Sequence, residues 1–207
     1  MGSKEYFKDV ASQWDTMRKG FFSDDIREKA CSAANVHQGK IAADIGAGTG
    51  FITEALLNHG LKVIAVDNSK EMLDQMKKKF GSNGNIDYRL GESEKLPIEN
   101  GAVDYAMANM YLHHVENPLS AIKEMVRILK PGGKLVITDL DEHHHEFLRT
   151  EQHDRWMGFQ REDIKNWLTE AGLRNAAVDC AGGNCCSESK CGCENASISI
   201  FVAYGEK

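Results

Sequence analysis

The sequence predicts an α/β fold in which helices cover both faces of a doubly wound, mostly parallel sheet. Two observations predict this fold. Apolar strand-like runs alternate with helical segments through residues 38–140, as parallel strands joined by crossover helices require. Two later strand-like runs have no helix between them, which predicts a closing hairpin. At 207 residues the chain suits one domain with a full core.

The elements follow in order along the chain. Residues 4–37 read as helical and amphipathic, because Tyr6, Val10 and Trp14 are spaced to share a face, with a break at Phe21 and Phe22. Seven runs read as strands: 40–45, 62–67, 86–91, 103–110, 134–140, 173–180 and 196–205. Four segments read as helices: 51–59, 69–81, 117–133 and 161–172, where Ser69 caps the second and Pro131 ends the third.

Composition excludes several classes of partner. A net charge of −6 gives no attraction to nucleic acid or to an anionic membrane. No apolar run reaches the roughly 18–20 residues of a spanning helix, and the first ten residues contain no apolar signal region. We therefore expect a cytoplasmic protein that binds neither nucleic acid nor a membrane, and the sequence does not indicate an oligomeric state.

A glycine-rich turn follows the first strand. In "DIGAGTG", Gly46, Gly48 and Gly50 permit a tight turn and a close approach of the backbone to a ligand. Asp67 ends the second strand, where its carboxylate could accept hydrogen bonds from both ribose hydroxyls of a nucleoside. Phe51 replaces the small residue that a dinucleotide site needs, which argues against NAD. Asp44 either binds a ligand's ammonium group or caps the turn.

Four motifs together resemble the class I S-adenosylmethionine-dependent methyltransferases, especially the small-molecule group that includes quinone-biosynthesis enzymes. These are "DIGAGTG", the acid Asp67, "GESEKLP" and "LKPGGKLVITD". The resemblance implies a Rossmann-like, seven-stranded sheet with an antiparallel last strand. It also implies one methyltransferase domain over 1–207, with a helical lid (1–37), a cofactor-binding core (38–140) and a substrate-side segment with the hairpin (141–207).

The same resemblance assigns roles at the cofactor site. Gly46, Gly48 and Gly50 would line the methionine portion of S-adenosylmethionine, and Asp67 would hold the ribose. Glu92 would receive the adenine amino group, and Ser93 would offer its backbone to the ring. Asn109 and Met110, at the end of the fourth strand, would form the floor of the methyl-transfer site. The family commonly has Gly-Asp-Ala where this chain has Gly-Glu-Ser, so these adenine contacts differ in detail.

Histidines gather after the fourth and fifth strands. His113 and His114 follow the fourth strand at the sheet edge where ligands bind, so they are candidate general bases, although one could simply pack or cap. Four more histidines follow the fifth strand, at positions 143, 144, 145 and 153. They suit a solvated loop, a substrate-pocket lining or metal ligands.

Five of the six cysteines lie in "CAGGNCCSESKCGC", residues 180–193, which we predict to be the hairpin turn. In the family arrangement the sixth strand is parallel to the first five, so this turn would emerge at the cofactor edge. The four candidate ligands of a soft metal or metalloid are Cys185, Cys186, Cys191 and Cys193, although they lack the C-x-x-C spacing of a zinc ribbon.

These features predict methyl transfer to a small acceptor. A thiophilic species such as arsenite, or a thiol, is one candidate, and the cysteine segment would hold it. An O-, N- or C-methyltransferase with a structural metal in that segment is another, and an S-adenosylmethionine-binding metal or redox sensor without turnover is a third. A regulatory redox loop and incidental cysteines also stay open.

Overall fold

The computed structural model describes residues 3–92 and 94–207. Its strands are β1 (Ile41–Ile45), β2 (Lys62–Asp67), β3 (Ile86–Leu90), β4 (Val103–Asn109), β5 (Leu129–Leu140), β6 (Arg174–Glu188) and β7 (Asn195–Glu206). Its α-helices are α1 (Ser3–Val10), α2 (Trp14–Phe21), α3 (Asp25–Ala34), α4 (Phe51–Asn58), α5 (Lys70–Phe80), α6 (Pro118–Ile128), α7 (Glu146–Glu151) and α8 (Arg161–Glu170). A short 3-10 helix spans Leu112–His114.

The strands form one sheet in the order β3-β2-β1-β4-β5-β7-β6. Strands β1 to β5 pair in parallel, and β7 runs antiparallel to both β5 and β6. The predicted seven-stranded α/β fold with an antiparallel last strand is therefore confirmed. Strand order reverses beside β1, between β2 and β4, and the carboxyl ends of strands at such a switch point form a ligand crevice.

Two hydrophobic clusters cover the two faces of the sheet. Alternation along the central strand β1 sends Ala42 into one cluster and Ala43 into the other, both fully buried. The first cluster packs α3 and α4 against the sheet, and the second packs α6 and α8 against it. No helix in the described ranges has the length and apolarity needed to cross a membrane.

Two boundaries differ from the sequence prediction. The amino-terminal segment forms three helices, because a turn after Val10 that was not predicted adds to the predicted break, which lies at Phe22. Helix α6 ends at Ile128, and the residues before Gly133 already belong to β5, because Pro131 disfavours helical backbone at Lys130.

The hairpin is longer, and its turn is shorter, than predicted. Strand β6 continues to Glu188, so only residues 189–194 connect it to β7. Pairing of β5 with β7 stops at Leu140 and Ile200, so residues 184–199 form a two-stranded extension beyond the sheet, here called the hairpin arm. Asp141 anchors the arm, because its backbone N–H donates to the Ser199 carbonyl at 2.9 Å and its carboxylate accepts the Ser199 hydroxyl at 2.5 Å.

Candidate active site

A cavity of about 340 Å³ opens at the carboxyl edge of the sheet, beside the switch point. The ends of β1, β2 and β4 form its floor, and helices α1 and α2 contribute Phe7, Trp14 and Arg18 to its wall. The rings of Phe7 and Trp14 meet edge to face at 5.2 Å. The amino-terminal helices therefore lie over the place where the sequence predicts the cofactor.

The glycine turn has the backbone that its residues predict. Gly46, Gly48 and Gly50 all have positive φ, at 66°, 54° and 93°, which side-chain-bearing residues rarely adopt. Gly46 and Gly48 line the cavity, whereas Gly50 caps helix α4 behind it. A side chain at position 46 would collide with the ring of Tyr111.

Asp67 reaches the cavity from the end of β2 with both carboxylate oxygens oriented by the backbone. Its Oδ2 accepts the Gly48 N–H at 2.8 Å, and its Oδ1 accepts the Ser69 N–H at 2.8 Å. The Asn68 backbone also interacts with this carboxylate, which can accept about four hydrogen bonds and so keeps room for a ligand hydroxyl. The predicted ribose contact therefore fits this geometry.

Asp44 lies beneath the turn and is 2% exposed. Its Oδ2 accepts the backbone N–H and the hydroxyl of Thr53, at 2.9 and 2.7 Å, which fixes the start of helix α4. Burial raises the pKa of Asp44 to about 7, against the lowering effect of the Thr53 hydrogen bonds. It does not line the cavity, so the ammonium contact stays a prediction.

Three further predicted residues lie at the cavity wall. Glu92 accepts a hydrogen bond from the Asn68 amide at 3.1 Å. Asn109 ends β4 and accepts the Thr138 hydroxyl at 2.7 Å, which leaves its amide N–H groups available to a ligand. Met110 follows in left-handed backbone, with φ of 49°. Ser93, predicted to contact the adenine ring, lies outside the described residues.

Arg18 is a site residue that the sequence analysis missed. It is buried, with its guanidinium 4.2 Å from the Phe51 ring centroid and one nitrogen 3.1 Å from Asp24. Its Nε and Nη1 have no hydrogen-bond partner among the described residues. Unpaired guanidinium donors at a cavity wall fit a carboxylate ligand. The sequence did contain a sign of this role, because Arg18 is a charged residue one turn after Trp14, on the apolar face of the predicted helix.

The cavity has an excess of acidic groups. Four carboxylates line it, and two guanidinium groups oppose them: Asp67, Glu92, Glu94 and Glu116, with Arg18 and Arg155. Low-dielectric walls strengthen such a field. The site therefore favours a ligand that carries a cationic centre together with one carboxylate.

His113 and His114 occupy different positions. His114 lines the cavity, whereas His113 is buried behind it, with Nδ1 2.6 Å from Asp139 Oδ1. Burial disfavours a charged His113, but Asp139 and Asp154 outweigh burial and raise its pKa to about 9. Burial and the His113 charge lower the pKa of His114 well below its usual value.

Asp139 and Asp154 were also missed as site residues. Asp139 is fully buried near the end of the apolar strand β5. An acidic residue at such a position could have been recognised in the sequence as a candidate site residue. The Oδ2 of Asp139 accepts the Leu112 N–H at 2.7 Å and so holds the 3-10 helix. Asp154 is also buried, and burial raises its pKa to about 6. No sequence pattern distinguishes it within the polar segment that contains it.

The remaining histidines do not form one group. His143 is buried and its Nε2 has no partner among the described residues, whereas His144 is exposed. Burial lowers the pKa of His143 to about 4. His153 packs against the ring of Tyr6 at 5.5 Å, which brings α1 against this segment.

The structure does not bring the four candidate cysteine ligands together. Cys185 and Cys186 are neighbours on a strand, so one is buried and the other exposed on the opposite face. Cys191 and Cys193 form a disulfide in the turn of the hairpin arm. The lining of the cavity includes no cysteine of the described chain. Burial raises the pKa of the Cys185 thiol to about 12, with a further contribution from the Asp154 charge.

Comparison with known proteins agrees with this geometry. Residues 43–137 match the family model described as a methyltransferase domain. An uncharacterized methyltransferase of Schizosaccharomyces pombe is 33% identical over 132 residues, covering 63% of this chain and 51% of the relative. The ubiquinone biosynthesis O-methyltransferase of Coxiella burnetii is 27% identical over 186 residues, covering 81% of this chain and 80% of the relative. The chain spans 32%, 51% and 38% of the length of the first three curated relatives.

Solved structures share the fold. The methyltransferase in complex with the Haloferax volcanii Trm112 activator superposes with a TM-score of 0.79 at 17% identity, covering 97% of this chain and 96% of that one. A phosphoethanolamine N-methyltransferase of Haemonchus contortus in complex with S-adenosyl-L-methionine gives 0.72 at 17% identity, covering 88% and 52%. Family match, relatives and fold thus agree with the glycine turn and Asp67 in assigning a methyltransferase domain to residues 43–137.

Proposed function

We propose that this protein transfers the methyl group of S-adenosylmethionine to a small-molecule acceptor in the cavity at the sheet edge. One observation carries the proposal: the glycine turn, the oriented carboxylate of Asp67 and Arg18, whose guanidinium has two unpaired buried nitrogens, line one acidic cavity. S-adenosylmethionine carries ribose hydroxyls, a carboxylate and a cationic sulfonium, so each of these features has a counterpart in the cofactor.

Different residues of the chain would bind different parts of S-adenosylmethionine. Asp67 accepts the ribose hydroxyls, Arg18 binds the methionine carboxylate and Glu92 accepts the adenine amino group. The surplus of cavity carboxylates favours the cationic donor. Once bound, the cofactor supplies a methyl group on a positively charged sulfur that leaves as a neutral thioether. Orientation then accounts for most of the acceleration.

The acceptor side of the cavity favours a small molecule. A volume of about 340 Å³ lies at the low end of small-ligand sites, and the cofactor would occupy much of it. Aromatic rings of Phe7 and Tyr111 form part of the wall, and His114 is a neutral imidazole there because its pKa is lowered. His114 is therefore the better placed of the two predicted histidines to accept a proton from the acceptor, and Asn109 supplies an amide for orientation.

A thiophilic acceptor is a second candidate. Cys191 and Cys193 lie close enough to be joined, so when reduced they form a dithiol suited to a trivalent metalloid. The hairpin arm that carries them projects from the cofactor edge of the sheet. Replacing both cysteines with serine would abolish turnover of arsenite, and unchanged arsenite turnover would contradict this candidate.

The proposed function is tested by binding and turnover measured separately. Calorimetry with S-adenosylmethionine should give a binding constant that Asp67→Ala weakens at least ten-fold, because charge-assisted hydrogen bonds contribute about 1.5–3 kcal/mol each. Asp87→Ala, an exposed aspartate on β3, is the matched control and should leave the affinity unchanged. Release of S-adenosylhomocysteine is then followed with thiol, phenol, amine and arsenite acceptors. Tight binding without turnover of any acceptor would favour the sensor alternative instead.

A further inference from the structure

Three side chains near the cavity bring one donor atom each to a common point. His113 and His114 come from the 3-10 helix after β4, and Asp154 comes from the segment after α7. The His113 Nε2, the His114 Nδ1 and one carboxylate oxygen of Asp154 all lie within 4.8 Å of one another. The described residues contain no second group of this kind.

The spacing of these atoms is too long for hydrogen bonds and close to that of a metal site. Asp154 Oδ1 lies 3.8 Å from His113 Nε2 and 3.9 Å from His114 Nδ1. Hydrogen bonds between such atoms require about 2.7–3.2 Å. In a tetrahedral site with ligand distances of about 2.0–2.1 Å, the ligand atoms are about 3.4 Å apart. The two Asp154 distances would therefore shorten by roughly half an ångström on coordination, and the two histidine nitrogens would approach each other from within 4.8 Å.

A second carboxylate orients the first histidine. Asp139 Oδ1 lies 2.6 Å from His113 Nδ1, and the other oxygen of Asp139 accepts the backbone N–H of Leu112. The Nδ1 of His113 therefore donates its proton to Asp139, which directs Nε2 to the Asp154 side. Histidines that bind metals through Nε2 are commonly oriented by this carboxylate contact.

One nitrogen at this point lacks a partner, and a buried carboxylate lies beside it. The Nδ1 of His114 is buried without a hydrogen bond among the described residues, and the His114 side chain is 10% exposed. The Asp154 side chain is 3% exposed and lies 3.8 and 3.9 Å from the two histidine nitrogens. An unpaired buried nitrogen costs free energy, and a buried carboxylate needs a nearby positive charge. A bound cation would satisfy both groups.

We propose that His113, His114 and Asp154 bind a divalent transition-metal ion, with Asp139 as the positioning residue behind His113. Two imidazoles and one carboxylate suit zinc, cobalt or ferrous iron rather than calcium or magnesium, which prefer oxygen ligands. Three protein ligands leave one position for water or another ligand. The metal would use the His114 lone pair that a general base needs, so the metal and base roles of His114 are alternatives.

Cobalt is the informative probe because its visible spectrum reports the ligands. Protein stripped with chelator and titrated with Co²⁺ should bind one equivalent and show d–d absorption without a thiolate charge-transfer band. Cys185 lies within electrostatic range of Asp154, so the titration is repeated with Cys185, Cys186, Cys191 and Cys193 replaced by serine. The spectrum and affinity should be unchanged in that variant.

Ligand variants then locate the site. Asp154→Asn and His114→Gln should each weaken Co²⁺ and Zn²⁺ binding at least ten-fold and remove the metal-dependent rise in melting temperature. His59→Gln, which changes an exposed histidine at the carboxyl end of α4, is the control. Absence of stoichiometric binding, or binding lost in the cysteine variant but retained in both ligand variants, would overturn the proposal. These readouts do not require turnover, so the proposal and the proposed function can fail separately.

Discussion

The carboxyl group of Asp44 should make the stability of this protein depend on pH in a way that one substitution removes. Asp44 is buried beneath the glycine turn, and one of its oxygens accepts both hydrogen bonds from Thr53. The amide oxygen of Asn can accept the same two bonds. Asp44→Asn therefore keeps the contacts at the start of α4 and removes only the ionisation.

The size and sign of the effect follow from the pKa. Burial raises the pKa of Asp44 from 3.8 to about 7 in the folded protein. A raised pKa gives stabilisation that is fully present below pH 3.8 and is lost as the pH rises to about 7, because the unfolded chain releases the proton first. At about 1.4 kcal/mol per pH unit, the wild type loses about 4 kcal/mol over this window.

Urea denaturation of both proteins at several pH values measures the effect. The free energy of unfolding of Asp44→Asn, relative to wild type, should rise by up to about 4 kcal/mol between about pH 4 and about pH 8. Taking the difference between the two proteins cancels the groups that titrate in both. A difference that stays constant over this range would refute the reasoning, since it would mean that Asp44 ionises normally when buried.

The same two proteins test the predicted ammonium contact of Asp44. A cationic ligand near this carboxyl favours its ionised form, so the wild type's affinity for S-adenosylmethionine should increase as the pH rises toward about 7. Asp44→Asn should show no such increase at this site. Parallel affinity profiles for the two proteins would place the ammonium group elsewhere.

Two further predictions concern the cavity wall. Gly46→Ala should lower the unfolding free energy by at least about 1–2 kcal/mol and weaken cofactor binding, because φ is +66° and the Tyr111 ring occupies the space. Gly81→Ala is the control, because Gly81 also has positive φ but has open space around it. Denaturation and calorimetry are measured for both variants, and an equal loss of cofactor affinity in the two would contradict the clash with Tyr111. Arg18→Met should weaken S-adenosylmethionine binding about 10- to 100-fold by loss of a carboxylate contact. Lys19→Met, which changes the exposed neighbouring residue, should leave this affinity unchanged. Equal affinities of Arg18→Met and Lys19→Met would show that Arg18 does not contact the cofactor.

Periodicity and turn chemistry predicted the sheet and the cofactor edge from sequence. Parallel strands need buried apolar runs and intervening helices, and both leave clear local patterns. Asp67 was predictable for the same reason, since its position at a strand end fixes where its carboxylate lies. Arg18 had a weaker signal, a charge on an apolar helix face.

Other features depend on contacts between distant segments, which one sequence does not encode locally. Asp139 and Asp154 meet His113 only because β5 and the segment after α7 fold back to β4. The length of β6 was missed because Gly182, Gly183 and the cysteines read as loop, whereas cross-strand pairing with β7 carries the strand through a register shift near Cys180.

Helix α1 touches two places at once. Phe7 lines the cofactor cavity and packs its ring 5.0 Å from His114, while Tyr6 lies against His153. One short segment therefore contributes to both the cofactor wall and the histidine group. A ligand that orders this segment from either side reduces the ordering cost for a ligand on the other side. The coupling is reciprocal. A metal ion bound by His113, His114 and Asp154 would change the affinity for the cofactor by some factor, and the cofactor would change the affinity for the metal by the same factor.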